Sequence, residues 1–89
     1  MNNRHEEELW RRMDNLYTTG TTFISWEEMR YWYESRRISK TPWRDIRIRW
    51  RKLLEQKKEN YFDPSILRLS GGIVFFAAKY PEKLGALAD

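Results

Sequence analysis

Apolar positions recur at helical spacing in three stretches of the chain and at strand spacing in three others. From Glu6, the residues Leu9, Trp10, Met13, Leu16 and Tyr17 form a helical stripe, with Glu7 and Arg11, and Glu8 and Arg12, at i,i+4 spacing. Gly20 within TTGTT ends that helix, and Thr21 to Ile24 is β-branched and aromatic enough for a short strand or an extended connector. Ser25 and Glu28 have the spacing of a capping box. They open a second helix to about Ser35, with Trp26, Met29 and Tyr33 inward, Trp32 at the margin and Tyr31 on the far side. A third helix is expected over 39–58, started by Ser39, or by Thr41 with Pro42 at the first helical position, and with Ile38 as a hydrophobic staple. At about 100° per residue, Trp43, Ile46, Trp50, Leu53 and Leu54 share one face of it, and Arg44, Arg47, Arg51 and Lys58 gather in a sector about 100° away. Asp45 and Arg49 are spaced for an i,i+4 pair on the opposite flank, and Glu55 is the acid nearest the row of arginines.

The remaining third of the chain changes period. ENYFDPS reads as a loop, and Ile66 to Leu69 alternates as a half-buried strand, with Leu67 and Leu69 on one side and Ile66 and Arg68 on the other. Ser70, Gly71 and Gly72 form a turn into the β-branched and aromatic run Ile73 to Ala78. A helix capped by Ser70 and running to Tyr80 is the competing reading, and the succession Ile, Val, Phe, Phe favours the hairpin. Residues 1–5 are expected to be an unstructured lead, and 81–89 a short final helix with Leu84 and Leu87 inward. The order helix, strand, helix, turn, helix, strand, glycine turn, strand is that of an α+β winged helix-turn-helix domain, three helices plus a C-terminal hairpin wing, over 1–89 as one unit.

Composition narrows the class. Aromatics at 16% and hydrophobic residues at 40% set the 89-residue chain apart from a disordered tail, despite 34% charged residues. A net charge of +4 and a pI near 9.6 favour an acidic partner. With no cysteine, disulfides, thiolate metal sites and a Cys nucleophile are excluded, and His5 is the only histidine, so neither a triad nor a histidine metal site is expected. No cofactor is implied. No apolar run approaches the ~20 residues of a membrane span, and the first residues lack the apolar segment of a signal peptide, so a cytoplasmic location is expected. No nucleophile has a neighbouring base and no glycine loop cradles phosphate, so an enzyme is the least expected class.

At 39–54 the segment SKTPWRDIRIRWRKLL resembles the start of the recognition helix of GntR-type winged-helix regulators: a capping Ser, a basic residue, Thr-Pro, an apolar residue, Arg and an acid. The resemblance implies that Lys40, Thr41 and Arg44 face DNA and that the hairpin at Gly71 and Gly72 is similar to that family's glycine-tipped wing. It departs at Arg36 and Arg37, where the family has a glycine, and at Trp43, where it has a small aliphatic residue. The family's effector-binding domain has no counterpart here, so a ligand-responsive repressor is not expected.

These readings converge on double-stranded DNA as partner, with the third helix in the major groove of a small transcriptional regulator or DNA-architecture factor. Arg44 and Arg47 suit guanine O6 and N7. Lys40, Thr41 and Arg51 suit phosphates, with Arg36 and Arg37 adding charge at the turn. Ile48 suits a thymine methyl, and Arg68, Gly71 and Gly72 suit the backbone or minor groove. The alternative is a protein-interaction module or inhibitor using Tyr31 and Trp32. Helix one and Leu84 to Leu87 are the surfaces that could form a homodimer.

Overall fold

The first helix begins earlier than its apolar stripe. In the computed structural model, which describes residues 2–34 and 40–77, α1 spans Asn3–Thr19. The Asn2 side chain caps it, its Oδ1 accepting from the His5 N–H at 2.9 Å. Asn is among the strongest caps, so residues 3–5 are helical, which corrects the expectation of an unstructured lead. At the other end Gly20 adopts φ 88° and its N–H donates to the Leu16 carbonyl at 3.1 Å, the left-handed stop that glycine allows.

Strand β1 (Thr21–Ser25) leads directly into α2 (Trp26–Tyr33). The capping box forms as expected: the Glu28 N–H donates to Ser25 Oγ at 3.0 Å, and the Ser25 N–H donates to Glu28 Oε1 at 3.1 Å. The helix stops at Tyr33, with Glu34 in the left-handed region (φ 49°), short of the expected end at Ser35. Of the expected turn at 36–40, residues 36–39, with the Ser39 cap and the Ile38 staple, lie outside the described residues, and Lys40 is already helical. Helix α3 spans Lys40–Gln56. Strands β2 (Ser65–Arg68) and β3 (Gly72–Phe76) form the hairpin rather than the alternative helix. The expected final helix at 81–89 lies outside the described residues.

The sheet is antiparallel with order β1-β3-β2. Ile24 pairs with Ile73 and Thr22 with Phe75, and because directly opposed side chains share a face, these four line the buried side. They meet Leu9, Met13 and Leu16 of α1, Met29 and Trp32 of α2, and Ile46, Trp50, Leu53 and Leu54 of α3 in one core. The domain is thus three helices on one face of a three-stranded sheet. No helix among the described residues is long and apolar enough to cross a membrane.

Two arginines tie the layers together. Arg49 donates bidentately to Glu6 of α1 at 2.6 and 2.8 Å and through Nε to Asp45 at 2.8 Å. The Tyr33 hydroxyl of α2 donates to the same Asp45 at 2.6 Å, and the Arg49 guanidinium lies 5.3 Å from the Trp10 ring centre. The expected i,i+4 pair is therefore part of a junction of all three helices, and the Arg49 side chain is only 12% exposed. Burial and the bond to Asp45 push the Tyr33 hydroxyl above its ordinary range. Arg12 of α1, expected to pair with Glu8, instead reaches Glu28 bidentately at 3.1 and 2.6 Å and the Phe23 carbonyl at 2.7 Å. Glu8 is left to accept from the Trp32 indole N–H at 3.2 Å and to approach Arg4 at 3.9 Å.

Replacing Arg49 by alanine strips Glu6 and Asp45 of a shared, largely buried partner, and is expected to cost about 2–3 kcal/mol of unfolding free energy in urea. The carboxyls also set an acid limit. The Arg49 bonds hold Glu6 below its ordinary value of 4.5. For Glu28 burial works upward, but the bonds from Arg12 and Ser25 outweigh it and the net shift is again down from 4.5. A carboxyl lowered by folding stabilises the fold above its unfolded value and loses that contribution as pH falls through the folded one. Urea midpoints should therefore drop as pH falls below 4.5, and Glu6→Gln and Glu28→Gln variants should show a shallower drop.

Candidate nucleic-acid interface

The periodicity that buries Ile46, Trp50, Leu53 and Leu54 leaves Arg44, Arg47, Ile48 and Arg51 on the outer face of α3, all exposed, with Ile48 at 52%. They stand at i, i+3, i+4 and i+7, so they form a continuous strip along two turns. Among the described residues Arg44 has no ion-pair or hydrogen-bond partner, and its guanidinium is open to a ligand.

The loop after α3 reaches back to this strip. Arg47 Nε lies 3.5 Å from the Asp63 carboxylate, both side chains being about two-thirds exposed at 65% and 62%. The Tyr61 hydroxyl donates to the same carboxylate, and the Arg51 guanidinium lies 4.7 Å from the Tyr61 ring centre. Burial first, and then the bond to Asp63, raise the Tyr61 hydroxyl above its ordinary value of 10.0. The acid that pairs with the arginine row is thus Asp63, from the loop. An exposed pair of this kind contributes at most about 1 kcal/mol, little enough for an incoming phosphate to displace it.

Arg68 stands at the other side of the strip. It projects from the buried side of β2, and its guanidinium lies 5.4 Å from the Trp43 ring centre. Between α3 and β2 runs an open groove of about 220 Å³ floored by Trp43, Ile46, Ile66 and Phe75, with Arg47, Arg68 and Asp63 at its rim. Arg44, Arg47 and Arg51 thus surround one exposed isoleucine on α3, and Arg47 and Arg68 stand at the rim of a short apolar groove. Planar, always-charged forks of this kind match the oxygens of phosphates and the O6/N7 edge of guanine.

Other expected site residues fall elsewhere. Lys40 and Thr41 belong to the first turn of α3, with Pro42 buried just after them, but their side chains lie outside the described part, as do Arg36 and Arg37 entirely. Gly71 is exposed at the hairpin turn, where its carbonyl accepts from the Trp26 N–H at 3.2 Å. Together with the bond from Trp26 Nε1 to the Leu69 carbonyl at 2.9 Å, this fastens the turn to the start of α2. Gly72 is a correction. It is buried, opposite Ser25, and a Cβ there would stand 2.4 Å from the Ile24 carbonyl oxygen and 2.7 Å from Ser25 Cα. Its glycine serves the approach of β3 to β1 and not a ligand.

Trp32, expected at an exposed margin, is also a correction. It is 1% exposed, under Arg12, whose guanidinium lies 5.5 Å from its ring centre, and it joins the core. Tyr31 is 69% exposed, as expected, with its ring edge-on to His5.

Asp63, Tyr61 and Trp43 entered the surface without a signal in the sequence. Asp63 and Pro64 read only as turn formers, and no local spacing tells which helix face a loop will fold back on.

The chain matches no protein-family model, no curated protein and no solved structure.

The two adjacent glycines separate turn chemistry from close packing. Gly72→Ala is expected to lower stability by about 2 kcal/mol, because the clash is with backbone that cannot rotate away. At Gly71 a Cβ meets nothing within 4 Å, and Gly71→Ala should change stability by less than about 0.5 kcal/mol. Paired thermal or urea melts of the two variants check this.

Proposed function

We propose that this chain is a small cytoplasmic winged helix-turn-helix protein that binds double-stranded DNA with α3 in the major groove. The observation that supports this reading is the exposed strip Arg44, Arg47, Ile48 and Arg51 on α3, flanked by Arg68 of the hairpin. In this reading the first turns of α3 lie deepest in the groove. Arg44, with no competing partner, and Arg47, released from Asp63, contact base edges, and Ile48 meets a thymine methyl. Arg51 holds phosphate, braced by the Tyr61 ring that confines its guanidinium, and Lys40 and Thr41 do the same at the helix start. The short hairpin is the wing, and Arg68 is its cation, contributing at the flanking backbone. The element order and the β1-β3-β2 sheet are compatible with that architecture. In this reading the protein serves as a small transcriptional regulator or DNA-architecture factor.

Fluorescence anisotropy against a mixed-sequence duplex tests the reading. Each phosphate contact releases condensed counterions, so the logarithm of affinity should fall with the logarithm of salt, with a slope of about 0.9 per contact. An Arg44→Ala, Arg47→Ala, Arg51→Ala triple variant should bind at least about tenfold more weakly and with a shallower slope. Equal binding by both proteins, or none by the parent chain, removes α3 from the DNA and with it the proposal.

A further inference from the structure

The two edges of the sheet are treated differently. In an antiparallel ladder alternate residues direct their N–H and C=O groups to the same neighbour, and the residues between them point away. The Ala77 N–H donates to the Gly20 carbonyl at 2.9 Å, so along β1 it is Thr21 and Phe23 that point to the free edge. Both of those carbonyls are occupied within the fold: Thr21 O accepts from the Thr19 hydroxyl at 2.9 Å, and Phe23 O from Arg12 at 2.7 Å. The outward carbonyls of the β1 edge are thus already engaged.

Along β2 the Leu69 N–H donates to the Gly72 carbonyl at 2.8 Å, so Leu69, Leu67 and Ser65 bond β3 while Ile66 and Arg68 present their backbone groups outward. Among the described residues nothing bonds them. All four residues of β2 are exposed, Ile66 at 47% and Leu67 at 51%. The expectation of a half-buried strand fails here because β2 is the edge strand and faces α3 only across an open groove. The face of the sheet turned away from the helices is apolar as well. Phe23, Val74 and Leu67 form one row across it, with Phe76 and Leu69 beside them, and Phe23, Phe76 and Leu69 are 45%, 36% and 46% exposed.

We infer that β2 is the dimerisation strand of this protein, pairing antiparallel with β2 of a second copy about a two-fold axis at Leu67. The strand's own chemistry selects that partner and that register. A two-fold axis normal to the sheet must pass through a residue, since opposed side chains share a face. An axis at Leu67 sets Ile66 against Arg68 of the second copy, twice, and these are the residues whose backbone groups are open. Four intermolecular N–H to O=C bonds result, and no arginine opposes an arginine. An axis at Ile66 would instead set Arg68 against Pro64, which has no N–H to give. At the chosen axis Leu67 meets its own copy in a non-hydrogen-bonded pair, where side chains approach closest. The two apolar sheet faces then run on as one across a six-stranded sheet. An interface built on a single four-residue strand is small, so the dimer is weak and concentration-dependent.

The chain has no cysteine, so one introduced thiol reports the register. Leu67→Cys should form an intermolecular disulfide under mild oxidation, because a non-hydrogen-bonded pair brings Cα atoms to about 4.5 Å, within bridging range. Ser65→Cys, four residues out of register with its own copy, should link at least about tenfold more slowly. Sedimentation equilibrium of the parent chain up to about 100 μM should show monomer and dimer, and Leu67→Lys, with unchanged circular dichroism because the position is exposed, should weaken the dimer about tenfold or more. A parent chain that stays monomeric, a dimer indifferent to Leu67→Lys, or equal crosslinking at the two positions overturns the inference. Crosslinking and sedimentation are run without DNA, so their result is independent of whether α3 binds it.

Discussion

A single guanidinium holds the helix layer in register. Arg49 has its charge matched twice, by Glu6 from α1 and by Asp45 from its own helix, and Asp45 is in turn bonded by Tyr33 of α2. Each helix contributes a polar group that would be left poorly paired if either neighbour moved. Buried ion pairs add little net stability compared with apolar packing, because desolvation consumes most of the attraction. What they enforce is geometry, since a bidentate fork tolerates few arrangements. The Arg49 junction ties all three helices at one point beside the apolar core of leucines, methionines and tryptophans.

That constraint determines what α3 can show to solvent. With Trp50, Leu53 and Leu54 inward and Arg49 bound to α1, the rotation of α3 about its axis is set. Arg44, Arg47, Ile48 and Arg51 must then point outward together. Two arginines of one helix therefore have opposite surroundings: Arg49 is taken up by the fold and Arg44 is left exposed. The hairpin is placed by similar means. Gly72 lets β3 approach β1, and Trp26 bonds the turn through both its backbone and its indole.

Much of this was legible because it depends on short-range periodicity and capping chemistry. The three helical stripes, the Ser25 and Glu28 box, the glycine stop at Gly20 and the β-branched run after Gly72 each act within a few residues. The arginine strip of α3 was legible for the same reason. What was missed depends on where distant segments meet. Arg12 has Glu8 four residues away and takes Glu28 instead, because the bidentate geometry and the Phe23 carbonyl together outcompete a helix-surface pair. Trp32 was read at a margin because a helix wheel gives an angle, not the position of the neighbour that covers it. Asp63 looked like a turn residue and also partners Arg47, and Gly72 looked like a flexible tip and is a packing glycine. In each case the deciding contact spans a loop.

Glu28 is shared by two devices. One of its oxygens completes the cap of α2, and the same carboxylate receives both arms of Arg12 from α1. A helix of eight residues has too few internal bonds to persist alone in water, and here its starting cap is assembled on a neighbour's guanidinium. Lifting α1 away would therefore take the Arg12 partner from the carboxylate that caps α2. The start of α2 and the body of α1 are thereby coupled through one carboxylate, so the first two helices are expected to loosen together.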